Sequence, residues 1–173
     1  MRYRWSVILT ASVLSAGAAQ AQERVVPVTD PDALFHSSDP QLNANKQLIY
    51  HIEKDLLQSG HAELADQYLT ERYIQHNPNI PSSREELKKM LGMTGKPQPI
   101  PAKMQPDVVS VVAEGDFVTV AHLSERPDPK NPGKMYTTTR FDMWRIKDGK
   151  ADEHWDGDML GAPRPPPSAA PLN

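Results

Sequence analysis

The second half of the chain is a series of short segments in which apolar and polar residues alternate, with turn residues between them. In order they are DVVSVVA, FVTVAHL, YTTTRFDMWRI and KADEHWD, joined by EGD, by a loop rich in proline and by KDG. Alternation with a period of two is typical of strands that bury one face, and turns this short join antiparallel neighbours. The pattern therefore predicts an antiparallel meander.

The first half of the chain carries helical patterns instead. Apolar residues recur at helical spacing from Gln41 to Ser59, and a shorter helix is predicted from Ala62 to Leu69. A third helix is predicted to begin at SSREELKKML, where Ser82 and Glu85 have the spacing of a capping box, as does the pair one residue later. Helices followed by a run of antiparallel strands predict an α+β domain with the helices on one face of the sheet.

The first 21 residues predict an export signal. Arg2 and Arg4 precede a mostly apolar run, and Ala19-Gln20-Ala21 matches a small-residue cleavage site. The apolar run is shorter than the ~18 residues that a membrane-spanning helix needs, so cleavage is favoured over an uncleaved anchor and a periplasmic or secreted location is expected. The rest of the chain divides into an irregular lead-in over 22–40, a folded domain over 41–160 and a mobile proline-rich tail over 161–173.

Charge and cysteine content exclude several classes of partner and site. Without the first 21 residues, which hold two of the 19 basic residues and no acid, 17 basic residues face 22 acidic ones and the formal charge is −5. No block of lysine or arginine remains, so nucleic acid and anionic membranes are not expected partners. The sequence contains no cysteine, which excludes disulfides, a thiol nucleophile and cysteine-ligated zinc.

The register of the last hairpin decides whether its polar residues form a site. If Asp148-Gly149 is a two-residue turn, Asp142 pairs with Trp155, and Asp142 and Asp156 lie on opposite faces. If KDG is a three-residue loop with its glycine in the left-handed conformation, Asp142 pairs with His154 instead. The three-residue loop is favoured, because a two-residue type I′ turn prefers asparagine at its first position. One face would then carry Arg140, Asp142, Trp144, His154 and Asp156.

Three stretches, YIQHNP, VAHL and FDMWRIKDGKADEHWD, together resemble the SnoaL-like polyketide cyclase family, a member of the superfamily named for nuclear transport factor two. The resemblance covers roughly Gln41 to Leu160. It implies a cone-shaped α+β barrel, with three N-terminal helices packed on a strongly curved, mostly antiparallel sheet around an apolar pocket, and a homodimer formed through the sheet. It also implies an intramolecular aldol closure in which an aspartate and neighbouring polar groups move protons, with no metal and no organic cofactor.

The resemblance also assigns roles to residues. Asp156 matches the acid of the last strand, and Asp142 the position on the preceding strand where characterised cyclases often have histidine. His76 matches the histidine of the YxxHNP segment and His122 that of the middle strand, while Asp152 departs from an apolar position. The candidate catalytic residues are Asp156, Asp142, His76, His122 and His154. The candidate pocket-lining residues are Tyr73, Asn77, Arg140, Trp144 and Trp155.

Two carboxylates in an apolar pocket are expected to have raised pKa values, so Asp142 and Asp156 could hold one proton between them near neutral pH. Structural roles compete with this interpretation. Asp156 could form an ion pair with Arg140, and Asp142 could pair with Arg145 or face solvent. His122 could equally be a hydrogen-bonded histidine of the core.

A zinc site built from His76, His122, His154 and a carboxylate is disfavoured, because the sequence has no HExxH motif and no close pair of ligands on one helical turn. Two function classes stay open. One is a cofactor-independent acid–base enzyme that acts on a hydrophobic carbonyl compound by aldol-type cyclisation, isomerisation or a related lyase or hydrolase step. The other is a non-catalytic carrier of a hydrophobic small molecule, since one fold hosts many functions.

Overall fold

The structure, a computed structural model, describes residues 23–161. The predicted export signal over residues 1–21 and all but the first residue of the predicted tail lie outside the described residues. The lead-in is not detached from the domain, because the backbone N–H of Val28 donates to the carbonyl of Val108 at 2.9 Å. No helix between residues 23 and 161 has the length and apolar character needed to cross a membrane.

Five strands form one mixed, curved sheet in the order β1-β5-β4-β3-β2. The strands are β1 (Leu69–Gln75), β2 (Val108–Glu114), β3 (Phe117–Pro127), β4 (Met135–Lys147) and β5 (Lys150–Asp156). The last four pair antiparallel as the predicted meander, whereas β1 runs parallel to β5. The α+β class is confirmed. No strand pairing closes the sheet within residues 23–161, so it is an open curved sheet rather than a hydrogen-bonded barrel.

Strand β1 is absent from the prediction, which placed YIQHNPNI in a connection. Leu69, Tyr73 and Gln75 are buried on this strand, with exposed or partly exposed residues between them. Its partner β5 is more than 70 residues away in sequence and runs parallel to it, so no short turn marks the pairing. The chain leaves the sheet only at His76.

The helices match the prediction in number but not in regularity. They are α1 (Pro40–His51), α2 (Ala65–Tyr68) and α3 (Arg84–Met93). Helix α1 continues directly into a π-helix over Ile52–Gln58, and a 3₁₀ turn over Ala62–Leu64 precedes α2. The Ser83 hydroxyl accepts the Glu86 backbone N–H at 3.2 Å and caps α3, so the second of the two predicted capping pairs is the one used.

The core lies between the helices and one face of the sheet, which we call the inner face. Ile49, Ile52, Leu56, Leu87 and Leu91 from the helical elements belong to the same buried cluster as Val118, Val120, Trp144 and Ile146 from the sheet. Each such side chain contributes about 1.5–3 kcal/mol by its burial. The opposite, outer face carries the odd-numbered residues of β3 and β4, including the exposed Phe117 and Phe141.

Candidate active site

The last hairpin turns through two residues, not three. Asp148 and Gly149 both have left-handed backbone angles, with φ of 51° and 73°, and Lys147 pairs with Lys150. This is the Asp-Gly form of a type I′ turn, in which both central residues need positive φ. The predicted three-residue loop is therefore wrong, and so is the predicted pairing of Asp142 with His154.

A β-bulge then changes which face the following residues occupy. Ile146 pairs with Ala151, but Arg145 pairs with Glu153, so Asp152 is an extra residue in β5. One extra residue moves every later side chain to the other face of the sheet. Asp142 consequently pairs directly with Asp156.

The bulge brings the predicted residues of the last hairpin to one face of the sheet. With this register, Arg140, Asp142, Trp144, His154 and Asp156 all lie on the inner face. They share that face through a turn and a register that differ from the predicted ones.

Asp152 itself is fixed on the outer side by cations. It is 1% exposed, and it accepts hydrogen bonds from Arg72 Nε at 2.8 Å, Arg145 Nη2 at 2.9 Å and the Thr70 hydroxyl at 2.8 Å. The hydrogen bonds from Arg72 lead the causes that hold the pKa of Asp152 well below its usual range. Arg145 is therefore a partner of Asp152 and not of Asp142.

Asp142 lies at the centre of the inner-face cluster. Its Oδ1 is 3.2 Å from Nε2 of His154, and its Oδ2 accepts a hydrogen bond from Nη1 of Arg140. Burial alone would raise the pKa of Asp142, but the hydrogen bond with His154 and the charge of Arg140 outweigh it and hold the pKa below its ordinary value. The raised pKa predicted for Asp142 is wrong, and Arg140 pairs with Asp142 rather than with Asp156.

His122 lies deeper on the same face, with both ring nitrogens facing carboxylates. Nε2 is 3.3 Å from Glu53 Oε1 and 3.8 Å from Asp142 Oδ2, and Nδ1 is 3.4 Å from Asp107 Oδ2. Burial alone would lower the pKa of His122, but the charge of Glu53 and the contact with Asp107 raise it to about 10. His122 is therefore an imidazolium at neutral pH.

Asp156 is held by neutral donors. Asn77 Nδ2 donates to Asp156 Oδ2 at 2.7 Å, and the backbone N–H of Asp158 donates to Asp156 Oδ1 at 3.0 Å. Asn77 also accepts the backbone N–H of Asn79 at 2.8 Å, which fixes its amide orientation. The segment that follows β1 therefore aims the Asp156 carboxylate without neutralising its charge.

Tyr73 is buried on the inner face beside these acids. Burial raises the pKa of its hydroxyl well above the ordinary value, an effect that the hydrogen bond with Trp144 opposes and that the charges of Asp142 and Asp156 reinforce. Tyr73 therefore stays a neutral hydroxyl at any pH the protein would meet. It can act as a hydrogen-bond donor but not as a base.

His76 and Trp155 lie on the outer face, which corrects the prediction that both belong to the interior. Their rings stack at a centroid distance of 4.5 Å and an interplanar angle of 5°, and His76 Nε2 is 2.9 Å from Glu153 Oε2. Because Tyr73 and Gln75 point inward from β1, alternation places His76 on the other side. The structure does not bring His76 to the Asp142 cluster.

The family model of the SnoaL-like domain matches residues 50–154, more than half of the chain. The chain belongs to the SnoaL-like domain family. A search of curated proteins found no match.

Solved structures similar to this SnoaL-like domain include three bacterial proteins. TsrD from Streptomyces laurentii is 17% identical over 70% of this chain and 90% of its own, with a TM-score of 0.41. IdmH from Streptomyces antibioticus, a candidate polyketide cyclase, is 20% identical over 65% and 89%, with a TM-score of 0.45. A candidate polyketide cyclase from Bacillus cereus is 20% identical over 80% and 87%, with a TM-score of 0.45.

Three residues of the site in this SnoaL-like domain were missed by the sequence analysis: Glu53, Gln75 and Asp107. Glu53 carried a usable signal, because it lies four residues after Ile49 and three before Leu56 on the apolar stripe of the first helix. A charge inside such a stripe marks a buried polar site. Gln75 would have followed from recognising β1, whereas Asp107 lies in an irregular segment without a pattern.

Among residues 23–161, two groups of side chains could hold a metal: Glu53 with His122 and Asp142, and Asp142 with His154 and Asp156. Within each group the potential ligand atoms lie within 4.8 Å of one another. Their existing contacts compete with a metal. A metal in the first group would have to displace the proton of His122 from Nε2, and in either group it would compete with Arg140 for Asp142. His76, the third histidine of the zinc alternative, is on the outer face.

Proposed function

We propose that this SnoaL-like domain is a small, cofactor-independent acid–base enzyme that acts on a hydrophobic carbonyl compound. The reaction would be an aldol-type cyclisation, an isomerisation or a related lyase or hydrolase step. One observation carries the proposal: Asp142 and Asp156 face each other across the last hairpin in different environments. Two acids with different hydrogen-bond partners can divide the base and acid roles between them.

Asp156 takes the role of the base. Its two hydrogen-bond donors, Asn77 and the backbone of Asp158, are neutral, so the carboxylate is oriented but keeps its charge. Asp142 instead shares its charge with Arg140 and His154. The carboxylate without a cationic partner is the better acceptor for a proton from the carbon beside a carbonyl group.

The charge that develops on the carbonyl oxygen needs donors that are already in place. Tyr73 offers a hydroxyl that remains protonated, and Arg140 and His122 offer positive charges on the Asp142 side of the cluster. Tyr73 and His122 are buried and Arg140 is partly buried, so their interaction with a developing negative charge is stronger than in water. Together they would stabilise an enolate while Asp156 holds the proton.

The test is exchange of carbon-bound protons in D₂O, followed by ¹H NMR across a panel of apolar ketones and 1,3-dicarbonyl compounds. We expect the wild type to exchange the α-protons of at least one compound and Asp156→Asn to slow that exchange by about 100-fold or more. Asp148→Asn is the matched control, because it makes the same change in an exposed turn residue and asparagine suits that turn. Equal exchange rates for Asp156→Asn and the wild type would remove the proposed base.

The non-catalytic carrier is the second candidate, and one observation favours it. Asp142 commits both oxygens to protein partners, His154 and Arg140, as a structural ion cluster would. A wild-type protein that binds members of the panel in ligand-observed NMR, yet exchanges none of their α-protons, would decide for the carrier.

We further propose that the protein is exported to the periplasm or secreted, and that it forms a homodimer through the outer face of the sheet. The sequence of residues 1–21 supports export. Phe117 and Phe141, 41% and 57% exposed on the outer face, support the dimer. Mass spectrometry of protein from its own host should give a chain that starts near Gln22. Light scattering should give a dimer for the wild type and a monomer for Phe141→Asp.

A further inference from the structure

We propose that Asn79 is a positioning residue for Asp156, because its side chain holds the segment after β5 that supplies one of the hydrogen-bond donors to the Asp156 carboxylate. The segment consists of residues 157–161. The catalytic consequence of this inference rests on the proposed function. The hydrogen bonds themselves do not, and they can be measured without a substrate.

Asp156 is the last residue of β5, so the chain that follows it has left the sheet. The backbone N–H of Asp158 in this segment donates to Asp156 Oδ1 at 3.0 Å, and it is one of the two neutral donors that orient the carboxylate. A backbone donor can orient that carboxylate only while its own segment stays in place. The orientation of Asp156 therefore depends on the contacts that fix residues 157–161.

Burial of apolar side chains does not fix this segment. Met159 and Leu160 are 74% and 79% exposed, and Gly157 has no side chain to bury. Exposed backbone without apolar packing opens at a low cost in free energy. Hydrogen bonds to the turn that follows β1 hold the segment instead.

Asn79 makes two of these hydrogen bonds with one amide group. Its Nδ2 donates to the carbonyl of Met159 at 3.0 Å, and its Oδ1 accepts the backbone N–H of Gly161 at 2.7 Å. A carbonyl can only accept and a backbone N–H can only donate, so these two partners fix the orientation of the amide. Asn79 therefore pairs with the segment on both sides of Leu160, as the backbone of a neighbouring strand would.

The turn that presents Asn79 is fixed by its own hydrogen bonds. The carbonyl of Asn77 accepts the backbone N–H of Ile80 at 3.2 Å, and Asn77 Oδ1 accepts the backbone N–H of Asn79 at 2.8 Å. Pro78 lies between the two asparagines and restricts its own φ. The two asparagines therefore have separate roles: Asn77 donates to Asp156 directly, and Asn79 holds the segment that supplies the second donor.

The direct test is NMR of the full-length protein labelled with ¹⁵N, recorded without a substrate for the wild type and Asn79→Ala. We expect the substitution to move the Asp158 amide proton upfield, because its hydrogen bond to the carboxylate is lost, and to speed the exchange of this proton with water by about 10-fold or more. An Asp158 amide that is unchanged in Asn79→Ala would overturn the proposal.

Two further variants sharpen this test. Asn131→Ala is the matched control, because Asn131 also holds a loop through its side chain, by donating to Asp128 at 2.7 Å between β3 and β4. It should leave the Asp158 amide unchanged. Asn79→Asp keeps an oxygen for the N–H of Gly161 but has no donor for the carbonyl of Met159, so the Asp158 amide should exchange at a rate between those of the wild type and Asn79→Ala.

The α-proton exchange assay gives a readout that a merely structural role of Asn79 would not change. Asn79→Ala should lower kcat by about 10-fold with little change in KM, because the base loses one of its two orienting donors. In an Asp156→Asn background the same substitution should have no further effect, since the residue through which Asn79 acts is already replaced. An equal loss of rate in both backgrounds would refute the positioning role.

The two assays also separate this inference from the proposed function. If the Asp158 amide responds as expected but the wild type exchanges no compound of the panel, the proposed reaction fails, while the role of Asn79 in orienting Asp156 stands.

Discussion

The buried imidazolium of His122 predicts a loss of stability in alkaline solution. The ring is 1% exposed, and four charged groups face it from other elements. The carboxylates of Glu53, Asp107 and Asp142 favour the protonated ring, and the charge of Arg140 opposes it. A rise in pH removes this proton from the folded protein and should therefore lower its stability.

The sign and size follow from the two pKa values. Folding raises the pKa of His122 from 6.5 to about 10, so the folded state holds a proton that the unfolded state releases. The stabilisation is complete below pH 6.5 and is lost as the pH rises through 10. Because a pKa difference of one is worth about 1.36 kcal/mol, the rise from 6.5 to about 10 corresponds to roughly 5 kcal/mol. Between pH 7 and pH 9 the free energy of unfolding should fall by roughly 2 to 3 kcal/mol.

The assay is urea unfolding at pH 7, 8 and 9, compared among the wild type, His122→Gln and the exposed control His36→Gln. The wild type and the control should lose stability together, and His122→Gln should lack this pH dependence. His122→Gln should also be about 3–5 kcal/mol less stable at pH 7, because it leaves buried carboxylates without their cation. If that variant does not fold, Asp107→Asn should move the stability loss to lower pH. Parallel curves for the wild type and the His122 variant would refute the reasoning.

Three further predictions concern the residues that hold the site. Asn77→Ala should leave the fold intact but slow α-proton exchange about 10- to 100-fold, because Asp156 loses its side-chain donor; an unchanged rate would contradict this. Asp152→Asn should lower the free energy of unfolding by about 3 kcal/mol at pH 7, because Arg72 and Arg145 lose a buried partner. This difference should be full above the ordinary pKa of an aspartate, near 3.8, and should shrink as the pH falls below it toward the depressed pKa of Asp152 in the folded protein. Deletion of Asp152 should remove the bulge and turn Asp156 to the outer face. A crystal structure of the deletion variant in which Asn77 still contacts Asp156 would contradict this prediction.

Local patterns were enough to predict four of the five strands and the three helices. The segments from Val108 to Asp156 alternate and are joined in sequence order, so each strand lies beside its neighbour in the chain. Strand β1 was not predicted, because its partner is distant in sequence and parallel, and because β1 follows directly after α2. Pairing of this kind is set by tertiary packing rather than by a turn.

The site was predictable where it depended on the last hairpin and unpredictable where it depended on irregular backbone. Asp142, His154 and Asp156 stood out because they recur at even spacing on two paired strands. The register that unites them depends on a bulge at Asp152, and a bulge leaves no simple pattern of apolar residues. The error in the turn and the absence of the bulge from the prediction cancelled in their effect on the shared face.

The missed strand explains both the register and the site. Arg72 on the outer side of β1 binds Asp152 and fixes the bulge, while Gln75 and Asn77 at its inner end hold His154 and Asp156. A strand that merely covered the sheet edge would need neither set of contacts. Because the bulge decides which face Asp156 occupies, a change at Arg72 should act on the inner face through register and not through contact. The YIQHNP segment carries so many polar groups because it is where one strand orients the acids of another.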